Sequence, residues 1–442
     1  MKNFKVAILG CGTVGGGVAK ILTEIGDELS ERANCSLELA KIVELNAASA
    51  VQRFGLDEKY FVDGAKDISA DQAQKAIQSI LADDSIDLVV ETIGGTSDFV
   101  YQLCLDVLQS GKHLVTANKA LLAERGQSIF ASAKANKVTI GYEAAVCGAI
   151  PAIKTIKESF SGDIVDSVSG IMNGTSNYIL SAMQNQNLGF AEALKMAQDN
   201  GYAEADPSLD INGGDAGHKI IILIKLAFGI DVTMDELPRI GIEKIDREDI
   251  EFAAEIDAKI KLIGYAKRKG DDIYATVRPM MVKNDNFLSS VDGATNALRF
   301  SNRYSGVHIL VGEGAGSSET ASSIVGDIIF AARYNEGIDN ETAAKQLTFC
   351  DDKHFEFPYL LTFSTEDAPG TTGFITSEIG AEGINIDTVS HNRRGSDHAT
   401  FSVATVPCKI DKINKAIENI KKKRPDILVA EPKIMPILYA DK

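Results

Sequence analysis

The stretch KVAILGCGTVGGGVAKIL, residues 5–22, decides the fold of the first part of the chain. A short apolar run is followed by Gly10, Gly12 and Gly15 in the spacing G-x-G-x-x-G, and an apolar-periodic helix begins at the same place. The glycines allow a tight turn and close backbone approach, and a helix N-terminus attracts a pyrophosphate. Directly after a strand, the motif predicts a dinucleotide-binding βαβ unit; a glycine turn with no ligand is the alternative.

The length and composition indicate a multidomain globular protein. The chain has 442 residues, of which 45% are hydrophobic and 24% charged, and a single core stops growing at about 250–300 residues. The net charge is −17, so nucleic acid is not expected as a partner, because phosphate binding needs clustered Lys and Arg. Six scattered cysteines and the absence of a long apolar segment predict a cytoplasmic protein with reduced thiols and no membrane partner.

The order of apolar runs divides the chain into three parts. Alternating strands and helices over residues 1–140 predict an α/β, Rossmann-type parallel-sheet domain, completed by the strand, turn and helix of about 305–335. Residues 141–304 have the pattern of an α+β domain, and 335–356 form a candidate linker. Residues 357–442 follow the order β-α-β-β-α-β, which is the ferredoxin-like unit.

Within the α+β part we expect long helices over AEALKMAQDN (191–200), GHKIIILIKLAFGI (217–230) and EFAAEIDAKIKLIGYAKRKG (251–270). We expect a strand over DIYATVRPMMV (272–282).

Glu44 follows the second strand, where dinucleotide-binding folds often place an acid on the adenosine ribose. A carboxylate there accepts from the 2′-hydroxyl of NAD and repels the 2′-phosphate of NADP, so NAD is the preferred cofactor and NADP the alternative. A carboxylate that simply points into solvent would look the same in the sequence.

Three further residues have placements that indicate chemistry. Lys119 follows the strand KHLVT at the carboxyl edge of the sheet, where α/β folds bind ligands. Asp215 and Lys219 are four residues apart at the start of a helix that becomes very apolar. Burying such charges is costly unless they are paired, so a ligand-facing pair is one interpretation and an ordinary ion pair is the other.

Seven blocks in a fixed order resemble homoserine dehydrogenase with a C-terminal ACT domain. The blocks are GCGTVGGG (10–17), VVETIGG (89–95), VTANKAL (115–121), YEAAVCGAIP (142–151), GIMNGTSNYIL (170–180), GYAEADPSLDINGGDAGHK (201–219) and GEGAGSSETASSIVGDI (312–328). The resemblance implies reversible NAD(P)-dependent reduction of L-aspartate 4-semialdehyde to L-homoserine, in threonine and methionine biosynthesis. It also implies a homodimer formed through the α+β substrate and dimerisation domain, with a tetramer through the ACT domains as a further assembly.

The resemblance also assigns roles to residues. Lys219 and Lys119 would be catalytic, with Asp215 holding Lys219 in place. The expected substrate contacts are Glu204, Asp210, Asn173, Gly174 and Thr175. The expected cofactor contacts are Gly10, Gly12, Thr13, Val14, Gly15, Glu44, Thr92, Ala117, Lys119 and Gly316. An ammonium group of the substrate favours carboxylates, which accounts for the acids of residues 201–219; which lysine transfers the proton stays open.

The block YEAAVCGAIP resembles a monovalent-cation loop. Glu143 and the backbone carbonyls of Val146, Gly148 and Ile150 would bind Na⁺. Cys147 stands where the family usually has glycine, which leaves the backbone geometry open and raises a redox-sensitive thiol as an alternative to an inert residue.

The C-terminal unit resembles an ACT domain through STEDAPG (364–370) and EGINID (382–387). Its effector residues would be Asp367, Pro369, Gly370 and Asn385, and L-threonine, the pathway end product, would be the effector. The alternative is an assembly module without a ligand.

Two other functions compete with this interpretation. A regulatory protein that binds NAD and an amino acid without catalysis would have damaged catalytic positions, yet both lysines and Asp215 are present. A dehydrogenase that acts through a cysteine thioester needs an activated thiolate, and no cysteine lies in such a motif.

Overall fold

A computed structural model describes residues 3–334, 347–350, 355–393 and 398–440. The chain divides into two compact units. The first contains the residues up to Val165, His218–Glu236 and the chain from Leu298 through the helix that follows; the second contains Asp166–Gly217, Leu237–Ala297 and the described residues nearer the C-terminus.

The N-terminal elements follow one another as alternating strands and helices. In chain order they are β1 (Asn3–Leu9), α1 (Thr13–Glu24), α2 (Gly26–Ala33), β2 (Ser36–Val43), α3 (Ala47–Phe54), β3 (Val62–Ala65), α4 (Ala70–Ala82), β4 (Leu88–Glu91), α5 (Asp98–Gln109), β5 (His113–Thr116), α6 (Lys119–Asn136), β6 (Ile140–Gly141) and α7 (Ala152–Lys154). The sheet order is β2-β1-β4-β5-β6 and all its pairs are parallel. The predicted parallel sheet is confirmed, and the fully buried β4 and β5 show why these strands are continuously apolar.

The remaining elements include longer strands, two of which have 12 residues each. They are β7 (Val165–Ile171), α8 (Gly174–Gln186), α9 (Phe190–Asp199), α10 (Ser208–Ile211), α11 (Gly214–Phe228), α12 (Arg247–Glu255), β8 (Ala258–Lys269), β9 (Asp272–Lys283), β10 (Thr295–Asn302), β11 (Gly306–Glu313), α13 (Ser317–Arg333), β12 (Thr348–Cys350), β13 (Glu356–Phe357), β14 (Tyr359–Glu366), α14 (Thr371–Ala381), β15 (Ile386–Arg393), β16 (His398–Thr405), β17 (Cys408–Lys409), α15 (Ile410–Lys423) and β18 (Lys433–Leu438). The predicted helices at 191–200 and 217–230 and the strand at 272–282 are confirmed by α9, α11 and β9.

The helix predicted over 251–270 is wrong beyond its first turns. α12 ends at Glu255, and Asp257 then adopts a left-handed φ of 51°, which a helix interior does not accept. The following KIKLIGYA is rich in β-branched and aromatic residues and forms β8, which pairs antiparallel with β9 through a turn at Gly270, where φ is 66°. Tertiary burial of this strand overrides the helical spacing of its charges.

In the first unit, α13 packs on α1. A Cβ on Gly17 would lie 2.9 Å from the backbone oxygen of Ser317 and 3.0 Å from the Ala321 side chain. Ala321 and Ile324 belong to the same buried core as Val18 and Ile8. A glycine at position 17 is therefore what lets the two helices approach this closely.

Besides a two-stranded antiparallel sheet of β13 and β17, the described part of the second unit contains one mixed sheet. Its strands lie in the order β7-β8-β9-β18-β14-β16-β15, β9 and β18 being the parallel neighbours and β12 adding a further parallel pair with β9. Its core combines Ile263 and Met280 with Phe363, Phe401 and Ile413 of the C-terminal part.

The second unit thus continues across the predicted linker, of which residues 335–346 and 351–354 lie outside the described residues. A boundary between substrate and C-terminal domains stays a prediction. In the described part of the chain, no helix combines the length and the hydropathy that crossing a bilayer would require.

Candidate functional site

The glycine-rich turn between β1 and α1 forms a cradle with little room for side chains. Gly10 has a φ of 90°, and a Cβ there would lie 2.9 Å from the carbonyl of Thr92. A Cβ on Gly15 would lie 2.0 Å from the oxygen of Gly10 and 2.5 Å from Oγ1 of Thr92. The Thr92 hydroxyl donates to the Gly10 carbonyl at 2.7 Å, which fixes the turn against the end of β4.

The α1 end of this turn suits an anion. Gly12 is the N-cap residue and offers no side-chain cap, and the first turn, which begins with Thr13 and Val14, contains no acid. The helix macrodipole and the first backbone N–H groups therefore create a positive electrostatic field at the N-terminus of α1. Ser317, next to the predicted Gly316, donates its hydroxyl to the Thr13 carbonyl at 2.5 Å.

Glu44 bends back to the glycine turn. Its two carboxylate oxygens accept from the backbone N–H of Cys11 at 2.6 Å and of Asn46 at 2.9 Å. Glu44 is half-buried. Its hydrogen bonds connect the end of β2 to the glycine turn, and its carboxylate places a negative charge beside that turn. Together with burial, this charge raises the pKa of the Cys11 thiol to about 12.

Arg53 is a residue beside this turn that the sequence did not single out. Its guanidinium donates to Oγ1 of Thr13 at 3.2 Å and lies 5.1 Å from the ring of Phe54. An arginine within an ordinary helix such as α3 has no sequence signal that would reveal the contact.

Lys119 begins α6, directly after Ala117 and the N-cap residue Asn118. The Asn118 side chain accepts from Leu121 N–H at 3.1 Å and donates to the Gly95 carbonyl at 2.7 Å. A cation at the positive end of a helix is unfavourable by about 0.3–1 kcal/mol. Lys119 is half-buried in this place.

Lys219 is buried on α11, four residues after the buried Asp215. Within the first unit, Nε2 of the neighbouring His218 lies 3.8 Å from Oε1 of Glu124 on α6. The helices that carry the two predicted catalytic lysines are thus in contact through His218 and Glu124.

In the second unit, Asn173 brings two of the predicted acids together. It is the N-cap residue of α8, and its Oδ1 accepts from Ser176 N–H at 2.8 Å. Its Nδ2 donates to Asp210 at 2.6 Å and to Asp215 at 2.9 Å. Two carboxylates bridged by one amide form a strongly anionic corner of the unit.

Among the described residues, the other predicted substrate contacts and the neighbouring Asp206 do not hydrogen-bond to the Asn173 side chain. Thr175 donates its hydroxyl to the Tyr202 carbonyl at 2.6 Å, while Glu204 is exposed in the segment before α10. A Cβ on Gly174 would lie 2.6 Å from the Ala294 carbonyl. Asp206 accepts from Ser208 N–H at 3.1 Å and so has a local turn role.

Glu143 is buried in the turn that follows β6, and its side chain reaches the backbone of α7. Its carboxylate accepts from the N–H groups of Ile153 at 2.7 Å and Lys154 at 2.9 Å, and its own N–H donates to Asp327 at 2.8 Å. Burial, and next the charge of Asp327, raise the pKa of Glu143 to about 7. Lys154 pairs with Asp327 at 2.8 Å, and its positive charge offsets only part of the cost of burying the Glu143 carboxylate beside Asp327.

The rest of this loop has an unusual backbone. Cys147 adopts a φ of 55° and Gly148 one of 50°, and a left-handed conformation favours glycine over cysteine. This conformation explains why glycine suits position 147. The carbonyl of Gly148 accepts from Ser323 Oγ at 2.8 Å, and that of Ile150 from Ala152 N–H at 2.7 Å, so each oxygen keeps a second lone pair.

The predicted effector residues do not lie together within one chain. Glu366, just before the turn that contains Asp367, pairs with His398 at the start of β16, whereas Ile386, just after Asn385, pairs with Thr405 at the other end of β16. Asp367, Pro369 and Gly370 are exposed at the turn before α14, and Gly370 is its N-cap residue with a φ of 86°. Asn385 is exposed before β15, and its carbonyl accepts from Val406 N–H at 3.1 Å.

Two family models match the chain: "Homoserine dehydrogenase, NAD binding domain" over residues 10–143 and "Homoserine dehydrogenase" over 151–329. A homoserine dehydrogenase of Neisseria gonorrhoeae is 37% identical over 397 residues, which is 88% of either chain. One of Pseudomonas aeruginosa is 34% identical over 429 residues, covering 94% of this chain and 95% of the relative. The crystal structure of a homoserine dehydrogenase from Thiobacillus denitrificans superposes with a TM-score of 0.88 at 32% identity and covers 99% of this chain and 98% of its own.

Proposed function

Because the chain belongs to the homoserine dehydrogenase family, and is thus an oxidoreductase that interconverts L-homoserine and L-aspartate 4-semialdehyde with NAD(P), we propose that Lys219 and Lys119 are its catalytic residues. The observation that supports this most directly is the anionic corner of Asn173, Asp210 and Asp215, a binding place for the substrate ammonium on the chain segment that leads into Lys219.

The glycine turn has the features that a dinucleotide requires: no space for side chains and an uncapped helix N-terminus. The nicotinamide supplies the hydride, or accepts it in the reverse direction. When hydride arrives at the aldehyde carbon, the oxygen gains negative charge. An ammonium group of Lys219 or Lys119 stabilises that charge and provides the proton, directly or through water.

The carboxylates act at the other end of the substrate. Glu204 and Asp210 bind the α-ammonium group beside Asp215, with Asn173, Thr175 and Gly174 as further contacts, and Asp215 orients Lys219. Charge-assisted hydrogen bonds of this kind are about twice as strong as neutral ones, so they fix the reacting carbon as well as binding it.

Alanine variants test the catalytic roles. We expect Lys219→Ala and Lys119→Ala to lower kcat for L-homoserine oxidation by about a hundredfold to a thousandfold, since each removes stabilisation of an oxyanion. Lys225→Ala is the matched control, because Lys225 lies on the same helix but pairs with Asp231 at 2.9 Å and is partly exposed. Unchanged turnover in both lysine variants would remove the basis of the assignment.

We also propose a Na⁺ site formed by Glu143 and the carbonyls of Val146, Gly148 and Ile150. Hard oxygen donors and an anion buried beside Asp327 suit a monovalent cation, which would offset the unfavourable charge. NaCl should raise the melting temperature more than choline chloride at equal ionic strength, and Glu143→Gln should abolish the difference. Equal shifts in the two salts would exclude the site.

For the C-terminal elements we propose an ACT-type regulatory role with L-threonine bound at the turn of Asp367, Pro369 and Gly370. Asn385, at the opposite end of β16, is not part of this site within one chain. The strand and helix order and the exposed turn at Gly370 support this proposal. Threonine should inhibit the wild-type enzyme and raise its melting temperature, and Asp367→Ala should weaken both effects. Asp411→Ala, an acid in the first turn of α15, is the control. If threonine does neither, the assembly role is the better explanation.

We further propose that the enzyme is a homodimer, with tetramers through the C-terminal elements, and that it acts in the cytoplasm. No disulfide joins any two of its six cysteines, all of which lie in described segments, in keeping with a reducing compartment.

A further inference from the structure

Lys261 is a fully buried lysine on β8, with 0% of its surface exposed. Its ammonium donates to Asn177 Oδ1 at 3.1 Å, to the Val291 carbonyl at 2.6 Å and to Asp292 Oδ1 at 2.9 Å. All three donors of the group are thereby used. The three acceptors come from α8 and from the loop 291–295, so the ammonium joins three separate segments.

Asn177 completes the connection from the helix side. Its Nδ2 donates to the carbonyls of Val291 at 3.1 Å, Gly293 at 2.9 Å and Thr295 at 3.3 Å. The two N–H donors of this one side chain are thus shared among three loop carbonyls, while its oxygen accepts from Lys261. We call Lys261, Asn177 and the loop carbonyls the α8 clamp.

The α8 clamp lies one helical turn from the anionic corner. The Asn177 N–H donates to the Asn173 carbonyl at 3.3 Å, and the loop packs so closely on the same turn that a Cβ on Gly174 would be 2.6 Å from the Ala294 oxygen. Asn173 in turn holds Asp210 and Asp215 through its side-chain amide. Any displacement of this turn would move the amide that sets the distance between the two carboxylates.

The chemistry of the clamp argues against a role in packing alone. Burying an ammonium group is costly, and an apolar side chain of similar volume often serves stability as well or better. Polar networks whose members are all satisfied instead hold one geometry rather than several. The anionic corner needs the N-terminus of α8 to be held in one fixed position.

We propose that Lys261 and Asn177 are positioning residues that fix the first turn of α8, and with it Asn173, for recognition of the substrate ammonium group. The inference rests on the proposed function, in which that corner binds the substrate. It assigns a specific kinetic role to two residues that do not themselves touch substrate.

The test uses the full-length enzyme and the variants Lys261→Met, Asn177→Leu, Asn173→Ala and Thr362→Val. Thr362→Val is the control: its buried hydroxyl lies 3.0 Å from Ser402 Oγ in the same unit, outside the clamp. KM and kcat are measured for L-homoserine and for the dinucleotide, with melting temperatures for all variants. We expect Lys261→Met and Asn177→Leu to raise KM for L-homoserine about tenfold while KM for the dinucleotide stays within about twofold.

A purely structural role predicts a different pattern. It would lower the melting temperature and the active fraction, as for Thr362→Val, and leave KM for L-homoserine unchanged; this result would overturn the proposal. If KM for L-homoserine is unchanged in Asn173→Ala as well as in the two clamp variants, the proposed substrate site itself is wrong. If KM rises in Asn173→Ala and stays unchanged in Lys261→Met and Asn177→Leu, only the role of the clamp is refuted. Should Lys261→Met fail to fold, Lys261→Gln, which keeps one donor for Val291, gives the same comparison.

Discussion

The charge of Glu44 should set the choice between NAD and NADP. Glu44 directly follows β2, and its carboxylate accepts hydrogen bonds from the N–H groups of Cys11 and Asn46. In NADP the 2′-phosphate adds about two negative charges at the adenosine ribose. We expect Glu44→Ala to raise kcat/KM for NADP relative to NAD.

The size of the change follows from Coulomb's law. Two unit charges about 4 Å apart interact by about 4 kcal/mol at an effective dielectric of about 20. Glu44 is half-buried and shares its charge with two N–H donors, so solvent and hydrogen bonding leave about 1.5–2 kcal/mol. The expected change in the NADP to NAD ratio is therefore about tenfold to thirtyfold.

The ratio separates charge from structure. Loss of the bonds to Cys11 and Asn46 loosens the glycine turn for both cofactors, so it cancels when the two values of kcat/KM with L-homoserine are divided. Asp67→Ala is the control, since Asp67 also accepts a backbone N–H, from Ala48 at 3.1 Å, and it is exposed. A wild-type preference for NADP, or a ratio that Glu44→Ala leaves unchanged, would refute the reasoning.

Three further changes have defined outcomes. Gly15→Ala places a Cβ 2.0 Å from the Gly10 oxygen, so KM for the dinucleotide should rise by at least about tenfold in initial-rate assays; an unchanged KM would show that the turn does not hold the cofactor. The raised pKa of Glu143, about 7 against 4.5, means that the folded state binds this proton more tightly than the unfolded chain. Its destabilising charge is fully present above pH 7 and is lost as pH falls toward 4.5. In urea titrations at low Na⁺, Glu143→Gln should therefore gain up to about 3 kcal/mol over wild type at pH 8 and little at pH 5, and a pH-independent difference would contradict this. Cys11 and Cys147 are buried, so neither should react with iodoacetamide at pH 8 in the native enzyme when peptides are mapped by mass spectrometry; rapid labelling of Cys147 would favour the redox-sensitive thiol.

Local patterns in the sequence predicted the first unit well. The strand KVAILG, its glycine turn and the helix that follows depend on residues adjacent in the chain, and β1 and α1 form where expected. The parallel sheet follows because strands that alternate with helices have few other ways to pair.

Such local patterns could not predict the hydrogen-bond partners of side chains or the pairing of strands that are far apart in the chain. Asp206 and Asp210 look alike in the sequence, yet one closes a local turn and the other bonds Asn173, because tertiary contacts choose the partner. The same limit applies to β18, which pairs with β9 across a separation of more than a hundred residues. The sequence around Lys261 did contain a signal, which the helical interpretation of residues 251–270 concealed. KIKLIGYA forms a strand that is buried on both faces, and a lysine within such a strand requires buried hydrogen-bond acceptors.

Strand pairing in the second unit connects the proposed effector turn with the α8 clamp. β14 ends at the turn before α14 and pairs with β18, β18 pairs with β9, and Met280 of β9 lies opposite Lys261 of β8. A ligand that shifts β14 in register or twist acts on strands that share hydrogen bonds with the strand of the α8 clamp. Energetic coupling between two sites requires more than adjacent strands. It requires a structural element with two conformations whose equilibrium is shifted by ligand binding at each site. If the clamp is that element, linkage requires L-homoserine to weaken threonine binding by the same factor by which threonine weakens L-homoserine binding. Lys261→Met should then bring this coupling factor close to one without abolishing threonine binding, because Lys261 lies on β8 and the effector turn follows β14.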